Sequence, residues 1–343
     1  MTALEQVLFA YVLNACWQLP LIAAFPLALI QLRRNTSARI QHWLWLLSAG
    51  MAALLPMGTL LGLLAGSPLT ASEPASAQLP VFGLRLVLAV FAGFVAYRCA
   101  QLLRAALASR RLRRQATPFV ASEGPTTIAL TSLRAEGIEI LFSPPGLEAA
   151  GPLLVGIRPP AVLIPRFLSE PANARLLEAA IAHERAHVRR NDMAMFIVSE
   201  LALAPLAFHP VARWLRRKLG ESRELACDEE VTREHPDHIE YARRLLELAQ
   251  NVLRPATPLH GLGIADSRIL ERRIRALVET PRKPSTNLNR WHKAAGVAAI
   301  CFFGALLSYT ARSAYLWVSG IPQPRVSMHI LPPPPPPPPA RRR

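Results

Sequence analysis

The chain is short of charge, and what charge it has is lopsided. Only 18% of its 343 residues are Asp, Glu, Lys or Arg, where a soluble protein carries about 25%. Acidic residues are the scarcer sign, 23 against 39 Lys and Arg, for a formal charge of +16. Basic and aromatic residues do not interleave as a base-stacking surface would require, so direct nucleic-acid binding is not expected. The four cysteines, Cys16, Cys99, Cys227 and Cys301, include no C-x-x-C pair. That argues against the common cysteine metal motifs and a disulfide framework, and leaves free, buried thiols as the expectation. The first apolar block has no basic start, contains Glu5 and is too long, so it is not a secretory signal peptide.

What is present in quantity is apolar residue, 51% of the chain, and it comes in blocks. Four blocks reach the roughly 20 residues that a bilayer span needs: Val7–Leu32, Trp43–Gly66, Leu79–Leu103 and Ala294–Val318. Arg98 lies near the end of the third, within reach of the interface. Basic residues collect on cytoplasmic flanks. Arg33, Arg34 and Arg39 lie between the first two blocks, Arg104 to Arg114 follow the third, and Arg282, Lys283, Arg290 and Lys293 precede the fourth. The loop from Ser67 to Gln78 has no Lys or Arg. The expected topology therefore puts both termini outside and the segment from about Arg104 to Lys293 in the cytoplasm, in a multi-pass protein of the inner (cytoplasmic) membrane. The expected domains are 1–104, a three-span membrane region; 105–290, a cytoplasmic domain; 291–318, a fourth transmembrane helix; and 319–343, a Pro-rich extracytoplasmic tail. The fold class is an α-helical integral membrane protein with a cytoplasmic α+β domain.

Between Phe119 and Pro165 short apolar runs at 138–142, 153–157 and 161–164 alternate with proline turns, which reads as a small sheet. From Ala174 the pattern is helical. Further helices are expected from Pro210 past Asp228, over Ile239–Val252 and over Ser267–Glu279. The chemistry lies in two of these helices. His183-Glu184-Arg185-Ala186-His187 is H-E-x-x-H. Residues four apart share a helix face, so both imidazoles can reach one metal ion, with Glu184 beside it as general base. A catalytic zinc takes three protein ligands and keeps a fourth position open. Glu224, 37 positions after His187 in the run Glu224-Leu225-Ala226-Cys227-Asp228, completes a His–His–Glu set. Asp228, one turn on, can accept the outer N–H of a ligand histidine. Two residues stay open at this level. His209 reads as a helix-start residue or an oxyanion donor, and Asp192 as a candidate anchor for the metal helix.

These motifs resemble the BlaR/MecR family of membrane metallopeptidases. The likeness extends to Gly156, Pro160 and Pro165 before the metal helix, to Tyr241-Ala242-Arg243-Arg244-Leu245-Leu246 and to Glu271-Arg272-Arg273-Ile274. It implies a gluzincin-type fold, zinc held by His183, His187 and Glu224, Glu184 as base, and a cytoplasmic protein substrate of the BlaI/MecI repressor type. The family's antibiotic-sensing members carry a penicillin-binding domain after the fourth span. Here about 25 residues follow, including Pro332–Pro339, a polyproline rod of about 25 Å. The sensor domain is therefore expected to be absent. The rod offers a docking surface for an extracytoplasmic partner, and homo-oligomers are compatible with the pattern. Two other readings use the same residues: a CAAX-protease/HtpX-like housekeeping peptidase, and a non-catalytic membrane signalling protein with a structural zinc.

Overall fold

The computed structural model describes residues 3–32, 36–64, 81–119, 131, 133–145, 147, 151–235, 237–252 and 267–279. The fourth predicted span, the Pro-rich tail and the loop from Ser67 to Gln78 lie outside them. Three long helices come first: α1 (Ala3–Leu32), α2 (Ala38–Leu64) and α3 (Val81–Gln115). Among the described residues, two stretches are long and apolar enough to cross a membrane, Tyr11–Leu32 in α1 and Arg85–Gln115 in α3. The second predicted span falls in α2 and does not join that pair. The exposed side chains of α3, Val90, Phe94 and Leu103 among them, suit contact with lipid.

A four-stranded sheet follows, of β1 (Thr117–Pro118), β2 (Glu139–Phe142), β3 (Leu153–Val155) and β4 (Ala161–Ile164), in the order β1-β2-β4-β3. β2 and β4 are parallel, and the other pairs are antiparallel. The three apolar runs in the sequence correspond to β2, β3 and β4. The turn after β3 uses Gly156 at φ +77°, where a side chain would press on the Pro159 carbonyl.

Two short 3-10 turns, Arg166–Ser169 and Pro171–Asn173, lead into five α-helices: α4 (Ala174–Arg189), α5 (Asp192–Leu203), α6 (Pro210–Glu234), α7 (His238–Val252) and α8 (Ser267–Glu279). α4 is two-faced. Leu176, Leu177, Ala180 and Ile181 pack on Ile138, Ile140, Val162 and Ile164 of the sheet side. Ala186, on another face, joins Cys227 and Val231 of α6, Tyr241 and Leu245 of α7 and Leu277 of α8. The metal-motif helix is thus clamped between sheet and helices.

The first two helices also pack against the later ones. Ala15, Leu19 and Ile22 of α1, Trp45, Ala49 and Ala52 of α2, and Leu203, Ala212, Leu215 and Leu219 around the α5–α6 junction form one buried core. Trp45 meets Trp214 edge to face, with 5.2 Å between ring centroids. Further along the same pair of helices, His42 Nδ1 lies 3.0 Å from Ser222 Oγ, and the Arg39 N–H donates to Glu229 at 3.1 Å. Those contacts bracket Glu224, so α2 braces the helix that carries it. Arg98 donates to Glu200 on α5 at 2.7 Å.

Candidate metal centre

His183 and His187 lie one turn apart on α4 and face Glu224 on α6. The separations are 3.2 Å for His183 Nε2 to His187 Nε2, 3.2 Å for His183 Nε2 to Glu224 Oε2, and 3.8 Å for His187 Nε2 to the same oxygen. A small tetrahedral ion with bonds of about 2.0–2.1 Å sets its ligand atoms about 3.3 Å apart. Three donors on three side chains form a triangle of that size, so the residues fit such an ion. The three form a group able to hold a metal.

Around this triangle the structure adds groups whose part the sequence left open. Helix α4 ends at Arg189, and Asn191 takes the left-handed conformation at φ 55°. Asparagine tolerates that region better than most residues. The turn brings Asp192, first residue of α5, back beneath α4, where its Oδ2 is 2.8 Å from His187 Nδ1. Burial opposes ionisation of Asp192, but its hydrogen bond with His187 and the nearby Arg190 prevail and hold it at about 2. An ionised acceptor at Nδ1 fixes the tautomer that leaves Nε2 free for a metal. The Cys227 thiol, fully buried, donates to the same oxygen at 3.1 Å.

His183 is held differently. Its Nδ1 is 3.1 Å from the Tyr241 hydroxyl and 3.4 Å from Asp228 Oδ1, and Tyr241 donates to Asp228 at 2.8 Å. Asp228 therefore acts on His183 largely through Tyr241, a link the sequence reading did not contain. Burial raises the Tyr241 phenol far above its ordinary value, with Asp228 adding to the effect, so it stays a donor.

The least foreseen participant is Arg273 of α8. Only 2% exposed, it grips Asp228 with two bonds of 2.8 Å, from Nε and from one terminal nitrogen. Its guanidinium lies 3.3 Å from His183 Nδ1 and 3.5 Å from Glu224. Burial works against the charge of Asp228, but Arg273 and His183 outweigh it and keep that carboxyl ionised. Glu224 is likewise raised by burial and pulled well below the usual carboxylate range by His187, His183 and the two arginines nearby. Glu184 goes the other way. It is 8% exposed, and burial raises its pKa above the ordinary value.

His209 is not part of this cluster. Its ring accepts the Val211 N–H and caps α6, about 20 Å along the helix from Glu224. That placement removes it as an oxyanion donor. Cys16 and Cys99 are free but exposed, where buried thiols were expected; Cys227 is free and buried, and Cys301 lies outside the described residues.

No curated protein matches the sequence. A family model does, that of the BlaR1 peptidase M56, over residues 71–277. That stretch takes in α3, the sheet, both helices of the donor triangle and Arg273, well over half of the sequence, and the chain belongs to the BlaR1 peptidase M56 family.

Proposed function

We propose that the protein is a membrane-embedded zinc metalloendopeptidase that cuts a cytoplasmic protein, with His183, His187 and Glu224 as metal ligands and Glu184 as general base. The observation that carries this reading is the donor triangle, three atoms 3.2 to 3.8 Å apart, with a buried carboxyl of raised pKa in the residue next to one donor. Zinc held there would polarise a scissile carbonyl and make water easier to deprotonate. Glu184 takes the proton from that water and passes it to the leaving amine. Burial raises its pKa, which helps the carboxyl hold the proton that it passes on. A structural zinc would use four protein ligands and need no base. Asp192 and the Tyr241–Asp228 pair keep the two imidazoles turned toward one point.

The substrate enters as an extended segment on this reading. β3 lies at an edge of the sheet, and an added strand is the ordinary way to hold a peptide there. By family likeness the substrate is a repressor of the BlaI/MecI type, which makes the protease part of a signalling route.

Metal analysis of purified variants tests the ligand set. His183→Ala, His187→Ala and Glu224→Ala are each expected to lose zinc, from one ion per chain to a small fraction. Full occupancy in Glu224→Ala would remove the third ligand from the scheme. The proposed topology has its own test. A reporter fused after Arg114 should lie in the cytoplasm and one fused after Ser319 outside. Both in the same compartment would rule out a fourth span.

A further inference from the structure

Four arginines converge where α3 passes the start of α6. Arg98, Arg213, Arg216 and Arg217 line an open concavity of about 490 Å³ together with Pro210. Glu200 of α5 sits among them and pairs with Arg98 at 2.7 Å and Arg216 at 3.2 Å. Arg213 and Arg217 are exposed, and among the described residues neither has an ion-pair partner. The Nε–H of Arg98 is buried without a hydrogen bond, while Arg216 turns its Nε to Glu200 and donates from a terminal nitrogen to the Leu203 carbonyl at 2.6 Å. Four cations thus face one carboxylate, which Arg98 and Arg216 already share, leaving Arg213 and Arg217 to meet another anion.

The surroundings are apolar. On α3, Phe94 is 44% exposed, Tyr97 57% and Leu103 62%, on either side of Arg98. On α5, Val198 and Leu201 flank Glu200 and are 62% and 56% exposed. The basic concavity therefore interrupts an apolar surface that is continuous with a helix long enough to cross a membrane. An anionic phospholipid has the matching shape: a phosphate for the arginines and acyl chains for the side chains around them. A soluble anion would match only the arginines.

We propose that this concavity binds the headgroup phosphate of an anionic phospholipid, with the lipid's chains lying along the exposed faces of α3 and α5. The site is separate from the metal centre, yet α6 serves both. Arg217 and Glu224 are seven positions apart on it, about 10 Å along its axis. A lipid held at the start of α6 bears on the helix that carries a metal donor.

The test is native mass spectrometry of the full chain, purified in detergent and offered equal amounts of phosphatidylglycerol and phosphatidylcholine. One phosphatidylglycerol per chain is expected to remain, in preference to phosphatidylcholine and in the presence of millimolar inorganic phosphate. An arginine near an anionic headgroup contributes roughly fivefold in binding, so Arg213→Gln/Arg217→Gln should weaken retention roughly 25-fold. The pair Arg175→Gln/Arg243→Gln removes the same charge from exposed positions elsewhere and should retain the lipid. Metal content measured on each variant separates lost binding from lost folding, and Arg213→Lys/Arg217→Lys, which keeps the charge, should hold most of the lipid. Equal retention of both lipids, survival of the adduct in the glutamine pair, or equal loss in the distant pair would overturn the proposal. So would full displacement by inorganic phosphate, which would make this a site for soluble anions.

Discussion

Glu184→Gln is expected to leave zinc content unchanged and to cut peptide hydrolysis by about 10²- to 10⁴-fold, the usual weight of a general base. Glutamine keeps the shape of the side chain and cannot accept the proton. The residue is buried, so truncation to alanine would also open a cavity and blur the result. The amide avoids that. Purified protein with a quenched-fluorescence peptide mixture gives the rate, and metal analysis gives the zinc. In cells the same variant serves to find the substrate: a protein that accumulates intact with Glu184→Gln and is clipped with the unmodified chain is the target. Activity above about a tenth of normal in Glu184→Gln would assign the base to another residue. Loss of zinc in that variant would instead show that Glu184 holds the metal.

The metal helix was legible because its chemistry has a period. His183 and His187 recur at four, the apolar residues of α4 recur on another face, and Glu224 and Asp228 repeat the spacing on α6. Helices α7 and α8 were legible for the same reason, and the observed bounds, His238–Val252 and Ser267–Glu279, nearly coincide with the expected ones. Helix α5 was not. Its run from Met193 to Leu203 is apolar on nearly every side, because it meets the α1–α2 core on one face and leaves Val198 and Leu201 exposed on another. A helix with no polar stripe has no period to read. β1 is two residues long, too short to alternate.

The supports of the centre were harder still. Asp192 follows His187 by five positions, but only the left-handed turn at Asn191 brings them together. Arg273 stands 90 positions from His183. Nothing local distinguishes it from Arg272, which is exposed and pairs with Glu221. Burial separates these neighbours, and burial depends on how α8 packs. The same holds for the brace from α2. His42 and Ser222 are 180 positions apart, and no spacing rule joins them.

Arg273→Met is expected to destabilise the folded chain by about 3–5 kcal/mol, with loss of zinc as a consequence. The substitution roughly keeps the volume, so packing of α8 against α7 should survive. What it removes is the counter-charge of Asp228, a carboxylate that is 2% exposed and would be left ionised with Tyr241 as its remaining close donor. Arg273→Lys retains the charge but not the two-pronged grip and should fall between the two. The double variant Arg273→Met/Asp228→Leu gives the decisive comparison. Removing both charges takes away the unpaired carboxylate, so it should recover much of what the single variant lost. The recovery should be incomplete, because the Tyr241 hydroxyl then lacks its acceptor, at about 1–3 kcal/mol. Thermal unfolding of the detergent-solubilised protein measures all three, with zinc content read on the same samples. If the single and double variants were equally unstable, the loss would come from packing of α8, and the ion pair would not be what ties that helix to the metal centre. If Arg273→Met kept both its stability and its zinc, the buried pair would be dispensable. Asp228 could then hold Tyr241 and His183 in place without any charge opposite it.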